Sequence, residues 1–387
     1  MEFKRSFAVA AICAVLAFGC GGPDIGVTND EIVIGTWAPL TGPASNLATI
    51  ATAMDAYFDY INDQGGIHGR QLRLIIKDDG YDPARTPGVV EELVDVDHVF
   101  ALLGGNGTAN CLAVKDYIAA KLLPWVNPGS GARVWTSPVN AYVFSTFPSY
   151  VTEGRILAKY VIDEVEADKY GMFFQDDSFG REGQEGVRLG LRSENKEIAV
   201  AQPYTVGEND LTEVAQKFKD EEIDVIFVWS ITEGAAALVK AIDAIEDYDP
   251  QIVATQVLSD PVMFELAGDA WEGAIVASSV PETSSDEPGA IKAREIIEKY
   301  GNGMEFGTYA YWGLARAEIL VEGLRRSGPE LSRLQFILAL ETIDNWNDNF
   351  VGTPISFSSE NHQGLNAVHL SKAEGGTLVH LSDWIKS

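Results

Sequence analysis

Gly65-Gly66-Ile67-His68-Gly69-Arg70 joins a helical pattern to an alternating one, and this junction decides the fold class. Upstream, Leu47, Ile50, Ala51, Met54, Tyr57, Phe58 and Ile61 recur at three- and four-residue intervals, the spacing of one helix face. The paired glycines end that helix, because glycine accepts the left-handed conformation that closes a helix C-terminus. Downstream, Leu72, Leu74 and Ile76 alternate with polar residues as a strand does, and Asp78-Asp79-Gly80-Tyr81-Asp82-Pro83 supplies turn formers. Helix, glycine turn, strand and acidic loop make half of a βαβ layer.

Outward from this junction the same alternation continues. A strand is expected over 32–35, a helix over 86–94, an apolar strand over 99–103, a helix over 112–121 and a strand over 122–126. A second block repeats the scheme, with helices over 154–165, 183–191, 211–219 and 235–245 and strands over 171–174, 198–201, 224–229 and 251–254. Alternation of this kind predicts parallel sheets joined by crossover helices, and two blocks of similar size predict two α/β lobes. Three short segments combine small residues with a proline near a strand-like run: Ser145-Thr146-Phe147-Pro148-Ser149, Ala277-Ser278-Ser279-Val280-Pro281-Glu282 and Phe350-Val351-Gly352-Thr353-Pro354. Each reads either as a hinge between lobes or as a surface loop.

The first residues form a processing signal, with Lys4 and Arg5 ahead of an apolar run over 7–18 that is too short to span a bilayer, which takes roughly 20 residues. Ala17-Phe18-Gly19 before Cys20 resembles a lipoprotein cleavage box, which predicts removal of residues 1–19, acylation of Cys20 and a tether over 20–30. A plain secretory signal or a retained anchor are the alternatives. With 28 basic and 57 acidic residues the chain carries a formal charge of −29, and it lacks the clustered cations that nucleic acid requires. Of its three cysteines, Cys13 leaves with the signal and Cys20 is acylated, so Cys111 has no partner for a disulfide.

Open parallel sheets bind ligands at the carboxyl ends of their strands. Two loops stand there in the first block: Gly104-Gly105-Asn106-Gly107-Thr108, followed directly by a helix, and Asn127-Pro128-Gly129-Ser130-Gly131. Glycines admit an anion to backbone N–H groups, and a helix N-terminus with a nearby hydroxyl would suit a carboxylate. A tight strand-to-helix turn explains either loop equally well. No catalytic motif accompanies them. The five histidines, at 68, 98, 362, 369 and 380, lack HExxH spacing, Ser130 lacks a nucleophile elbow, and the acidic turn at 78–82 lacks calcium-loop spacing. Neither a metal nor any other cofactor is expected. Trp37, Phe179, Trp229, Phe306 and Tyr309 fall near element ends, where they could pack in the core or wall an apolar pocket.

Together, Ile61-Asn62-Asp63-Gln64-Gly65-Gly66-Ile67-His68-Gly69-Arg70 with Asp78-Asp79, Leu40-Thr41-Gly42-Pro43, Phe179-Gly180 and Gly352-Thr353-Pro354 resemble the leucine/isoleucine/valine-type periplasmic binding proteins, the solute receptors of ABC importers. The resemblance implies a type I fold: two parallel-sheet lobes, over 31–146 plus 281–351 and 147–280 plus 352–387, closing over a three-segment hinge. It implies a monomer, held to the membrane through its N-terminal lipid alone, that delivers a small carboxylate to a permease and its ATPase subunits. A sensory module that signals without transport is the alternative; an α/β hydrolase or dehydrogenase finds no motif.

By similarity, Thr108 stands where a family serine holds the ligand carboxylate, and Ser130 and Gly131 complete that anchor. Phe179 matches a family tyrosine, Phe306 matches a side-chain contact, and Trp229, Ser230 and Ile231 cover a contacting segment whose register stays open. Gln256 departs from the pattern, since amino-acid receptors place an acidic residue there to pair with the ligand ammonium. Burying an unpaired ammonium costs several kcal/mol, so the amide argues against an ordinary α-amino acid. Asp260 would either replace that charge or cap the next helix. Trp37, Phe179 and Trp229 would suit an aromatic carboxylate.

Overall fold

A computed structural model describes residues 24–386, so the expected signal and Cys20 lie outside the described residues. Residues 24–30 are docked rather than free as a tether would be. Val27 is buried in the core, and the Asp24 carboxylate accepts from the Arg333 N–H at 2.8 Å.

The first lobe builds β1 (Glu31–Ala38), α1 (Ala48–Asn62), β2 (Gln71–Asp78), α2 (Thr86–Glu91), β3 (Ala101–Leu103), α3 (Thr108–Ala120), β4 (Trp125–Val126) and β5 (Val143–Phe144). All four strand pairings are parallel, in the order β2-β1-β3-β4-β5, with Ile34 between Leu74 and Ala101. At the junction after α1, Gly66 has φ 72°, and a Cβ there would lie 2.0 Å from the Arg70 carbonyl oxygen. Only glycine closes this turn without moving the backbone. Its product is the placement of Arg70, whose guanidinium donates to the Thr28 and Pro329 carbonyls at 2.7 and 3.0 Å and ties both chain segments to the lobe.

The second lobe follows with α4 (Tyr150–Glu164), β6 (Tyr170–Gln175), α5 (Ser178–Arg192), β7 (Ile198–Tyr204), α6 (Thr212–Asp220), β8 (Val225–Trp229), α7 (Thr232–Asp243), β9 (Gln251–Ala254), α8 (Val262–Ala267) and β10 (Ile275–Ser278). Helices α4 and α5 start several residues before the expected boundaries because side chains cap them. Ser149 Oγ accepts from the Thr152 N–H, and Asp177 Oδ1 accepts from the Phe179 and Gly180 N–H groups. The chain then returns to the first lobe for α9 (Pro288–Tyr300), α10 (Thr308–Ser327) and α11 (Arg333–Leu340), and ends in the second with β11 (Ala367–Glu374), β12 (Thr377–His380) and β13 (Ile385–Lys386). Strand order in that sheet is β12-β11-β10-β9-β8-β6-β7, parallel from β7 to β10 and antiparallel beyond.

Two crossings fall where expected, at 145–149 and 277–282. The third does not. Residues 350–354 stay with the first lobe: Phe350 meets Tyr57 edge to face, Trp346 and Ile355 exchange backbone hydrogen bonds, and Phe357 packs on Phe144. The chain crosses beside the first connection instead, just before β11. There the Ser145 N–H donates to the His362 carbonyl at 3.0 Å and the Gly364 N–H to the Ser145 carbonyl at 2.8 Å. Gln363 Nε2 donates to the Phe147 carbonyl at 2.9 Å. Residues 352–366 therefore belong with the first lobe or the crossing, not with the second lobe.

Candidate functional site

Both sheets share one topology, and each has a switch point where its strand order reverses: between β1 and β3 in the first, between β6 and β8 in the second. Ligands bind outside the strand ends at such points. The two ends face each other across a narrow cavity of about 30 Å³.

Its polar corner comes from the first lobe. Leaving β3, the chain turns through Gly107 (φ 93°) into α3; a Cβ there would lie 2.4 Å from Asn110 Oδ1, so the helix can begin at Thr108 only behind glycine. Thr108 Oγ1 lies 2.8 Å from Ser130 Oγ and 3.5 Å from the Tyr150 hydroxyl, all three residues being buried. The free N–H groups of α3's first turn add a partial positive charge at the same corner. Most of the remaining wall is apolar, with Leu47, Ile50, Phe147 and Trp312 from the first lobe and its crossing and Phe179, Ile231 and Val257 from the second, while Tyr81 and Asn106 add polar groups.

Arg316, in the middle of α10, is the one full charge on this lining. Its residue is 5% exposed, its Nη1 donates to Asn106 Oδ1 at 3.3 Å, and the guanidinium lies 5.7 and 5.8 Å from the Phe147 and Trp312 ring centres. Among the described residues no carboxylate comes within 4.0 Å of it. Burial pushes its pKa down to about 10, opposed by the Cys111 thiol and Tyr150 hydroxyl nearby, so it stays protonated at neutral pH.

The lobes touch around this cavity. Thr308 Oγ1 donates to the Ser259 carbonyl at 2.7 Å, the Tyr309 hydroxyl to the Val257 carbonyl at 2.8 Å, and Asn46 Nδ2 to Glu233 Oε1 at 3.3 Å.

Comparison with known proteins gives the arrangement its family. A model of the periplasmic binding protein family matches residues 31–377. The chain belongs to the periplasmic binding protein family. It is 22% identical over 327 residues to Leu/Ile/Val-binding protein homolog 2 of Brucella abortus, covering 84% of this chain and 85% of that one. Among solved structures, a branched-chain amino acid ABC transporter protein of Thermus thermophilus with bound valine superposes with a TM-score of 0.84 at 24% identity, over 92% of this chain and 97% of that one. A solute-binding protein of R. palustris in complex with benzoate gives 0.81 at 17%, over 92% and 98%. Members of this family bind solutes outside the cytoplasm and are not enzymes, in keeping with the absence of a catalytic motif.

Within this receptor the expected site residues separate into three groups. Thr108, Phe179 and Ile231 line the cavity, and Ser130 stands directly behind Thr108. Gly131 supports it: its carbonyl accepts the Tyr150 N–H at 2.9 Å, and a Cβ would lie 2.4 Å from the Pro148 carbonyl oxygen.

Trp229 and Ser230 form a layer behind the lining. Trp229 packs against Tyr150 and Phe179 with ring centres 6.0 and 6.3 Å away, while the Ser230 hydroxyl turns to the Ile231 carbonyl at 3.0 Å.

Trp37, Gln256 and Phe306 are elsewhere. Trp37 belongs to β1, which runs three residues beyond its expected end, and shares a sheet face with Val33; it is buried against Trp125 at 5.5 Å. Phe306 borders a separate groove with Glu265 and Met304 and packs on Tyr311. Gln256 donates from its backbone N–H and its side-chain amide to the two oxygens of Glu153, at 2.7 and 2.8 Å, and Thr255 Oγ1 adds a third bond at 2.8 Å. Asp260 is a cap, accepting from the Val262 and Tyr309 N–H groups at 3.0 and 2.8 Å.

Sequence reasoning missed Arg316, Tyr150 and Trp312, and named Asn106 only as part of its loop. One signal was present: Arg316 and Glu318 interrupt an otherwise apolar run over 309–321, a pattern that marks charges without solvent to face.

Proposed function

We propose that this receptor closes on a small carboxylate that has an apolar or aromatic body and no ammonium group, and that it delivers this acid to an ABC permease and its ATPase subunits. The observation that carries the reading is the buried Arg316 guanidinium with no acidic partner. An unpaired buried cation costs several kcal/mol, and an entering carboxylate removes most of that cost. Thr108, Ser130 and the first turn of α3 would complete the anion's hydrogen bonds, while Phe147, Phe179, Ile231, Val257 and Trp312 would cover its body. No carboxylate lines the cavity, so an α-ammonium would find no counter-charge there.

The net charge of −29 supports the same choice. Outside roughly one Debye length, about 8 Å in physiological salt, that charge is screened, and inside it a local cation is needed to hold an anion. Acylation of Cys20 would keep the receptor at the membrane beside its permease.

Calorimetry of the mature chain with benzoate, 4-methylpentanoate, leucine and leucinamide tests the proposal. The two simple acids should bind, leucine more weakly, leucinamide not at all. Tight binding of leucinamide, or of leucine above both acids, would refute it.

A further inference from the structure

Away from the cleft, where the second crossing leaves β10, three side chains converge that the histidine spacing did not connect. Register explains the meeting. In the antiparallel pairs, His369 of β11 lies opposite Ser278 and His380 of β12 lies opposite Ser371, two residues from His369 and on the same face. Glu282 follows β10 by four residues and turns back onto them. Its Oε1 is 2.8 Å from His380 Nδ1 and 3.4 Å from His369 Nδ1.

His369 is prepared as a ligand. Its Nε2 lies 2.7 Å from the Val280 carbonyl oxygen, an acceptor only, so Nε2 carries a proton and Nδ1 is the nitrogen left to bind an ion in the neutral ring. That Nδ1 is buried and makes no hydrogen bond, in a residue 1% exposed. A backbone carbonyl fixing the far nitrogen is the usual support of a metal-bound imidazole. Ser371 Oγ donates to Glu282 Oε1 at 3.0 Å and orients the carboxylate, and the Trp384 ring stands edge-on to His369 at 4.9 Å.

We propose that Glu282, His369 and His380 bind a divalent transition metal, with Zn²⁺ the best match. Two imidazoles and a carboxylate are a three-ligand zinc set that leaves a fourth position for water. Bonds of about 2.0–2.1 Å in a tetrahedron separate ligand atoms by roughly 3.3 Å. The His369–Glu282 separation already meets this, and the His380–Glu282 contact opens by about half an ångström as His380 Nδ1 exchanges its proton for the ion. The metal would join the second crossing to the C-terminal hairpin.

Chelator-treated mature chain, dialysed against Zn²⁺ and analysed for metal, should retain one ion per chain, and Co²⁺ in its place should give the visible absorption of a four- or five-coordinate site. Both signals should disappear in His380→Ala, an exposed position whose replacement leaves the fold intact, and in Glu282→Gln. They should persist in the double variant His68→Ala/His98→Ala. Excess Zn²⁺ should raise the Tm of the parent and not of His380→Ala. Absence of stoichiometric metal in the parent, or its full retention in His380→Ala and Glu282→Gln, would overturn the assignment.

Discussion

Glu153 and Gln256 hold each other edge to edge inside the second lobe, the amide and the backbone N–H of one meeting the two carboxylate oxygens of the other at 2.8 and 2.7 Å. The carboxyl group missing at 256 is thus present nearby in space, with its oxygens already engaged. Gln256→Glu would set two carboxylates about one hydrogen bond apart in a buried place, where both cannot ionise. We expect a loss of about 2–4 kcal/mol at pH 7 in urea unfolding, shrinking toward pH 5 as the pair shares a proton. An equal loss relative to the parent at both pH values would refute the arrangement.

Burial raises the Glu153 carboxyl from 4.5 to about 7 against its three donors, and raises Glu318 to about 8 against the Phe350 N–H. From about pH 4.5 to 7–8 the folded chain holds more protons than the unfolded one, so stability falls as pH rises through that window. Glu153→Gln should flatten the part of the decline below pH 7, worth up to about 3 kcal/mol at 1.4 kcal/mol per unit of pKa shift. Unfolding free energies between pH 4.5 and 8 measure both slopes.

Arg316→Met separates binding from stability. Without its ligand the receptor should gain about 1–2 kcal/mol, because an unpaired buried cation gives way to an apolar chain of similar reach. Carboxylate affinity should fall at least about a hundredfold, or 2.7 kcal/mol. Calorimetry and thermal melts on one preparation read both, and a variant that loses stability and keeps affinity would remove Arg316 from the site.

Thr108→Ala should weaken carboxylate binding by roughly 1–3 kcal/mol, while Thr108→Ser should retain most of it, since only the hydroxyl is needed. Unchanged affinity in the alanine variant would take the hydroxyl out of the anion site.

Gly183 tests how firmly Trp229 backs the cavity wall. Alanine is the better helix former by about 1 kcal/mol, yet a Cβ here would lie 2.2 Å from the Trp229 ring. Overpacking typically costs 1–3 kcal/mol, so Gly183→Ala should destabilise on balance. A raised Tm would mean that Trp229 yields freely.

Those expected residues that line the cavity are set by local rules. Thr108 follows a glycine turn at a strand end and Phe179 follows a capping aspartate, so backbone geometry carries both to the cleft. Trp37 obeyed the same rule in appearance, but three further residues of strand placed it on the core side of the pleat. Arg316 obeys no local rule. A cation in the middle of a helix ordinarily faces solvent, and only the burial of α10 turns it toward the cavity. Proline misled at 350–354, where it closes a loop of the first lobe, whereas the crossing itself runs through Gln363, Gly364, Leu365 and Asn366 with no proline at all.

That displaced crossing changes the mechanics of the molecule. Because Ser145 bonds His362 and Gly364, and Gln363 bonds the Phe147 carbonyl, two of the three connections form a laced ribbon, while the third, at 277–282, is a single strand held to β11 and β12 through Val280 and Glu282. A ribbon and a single strand resist twisting and sideways shear far more than they resist folding along the line between them. We infer that the lobes swing like a door about that line, so that closure brings Phe179, Ile231 and Val257 of the second lobe over the Arg316 and Thr108 corner of the first.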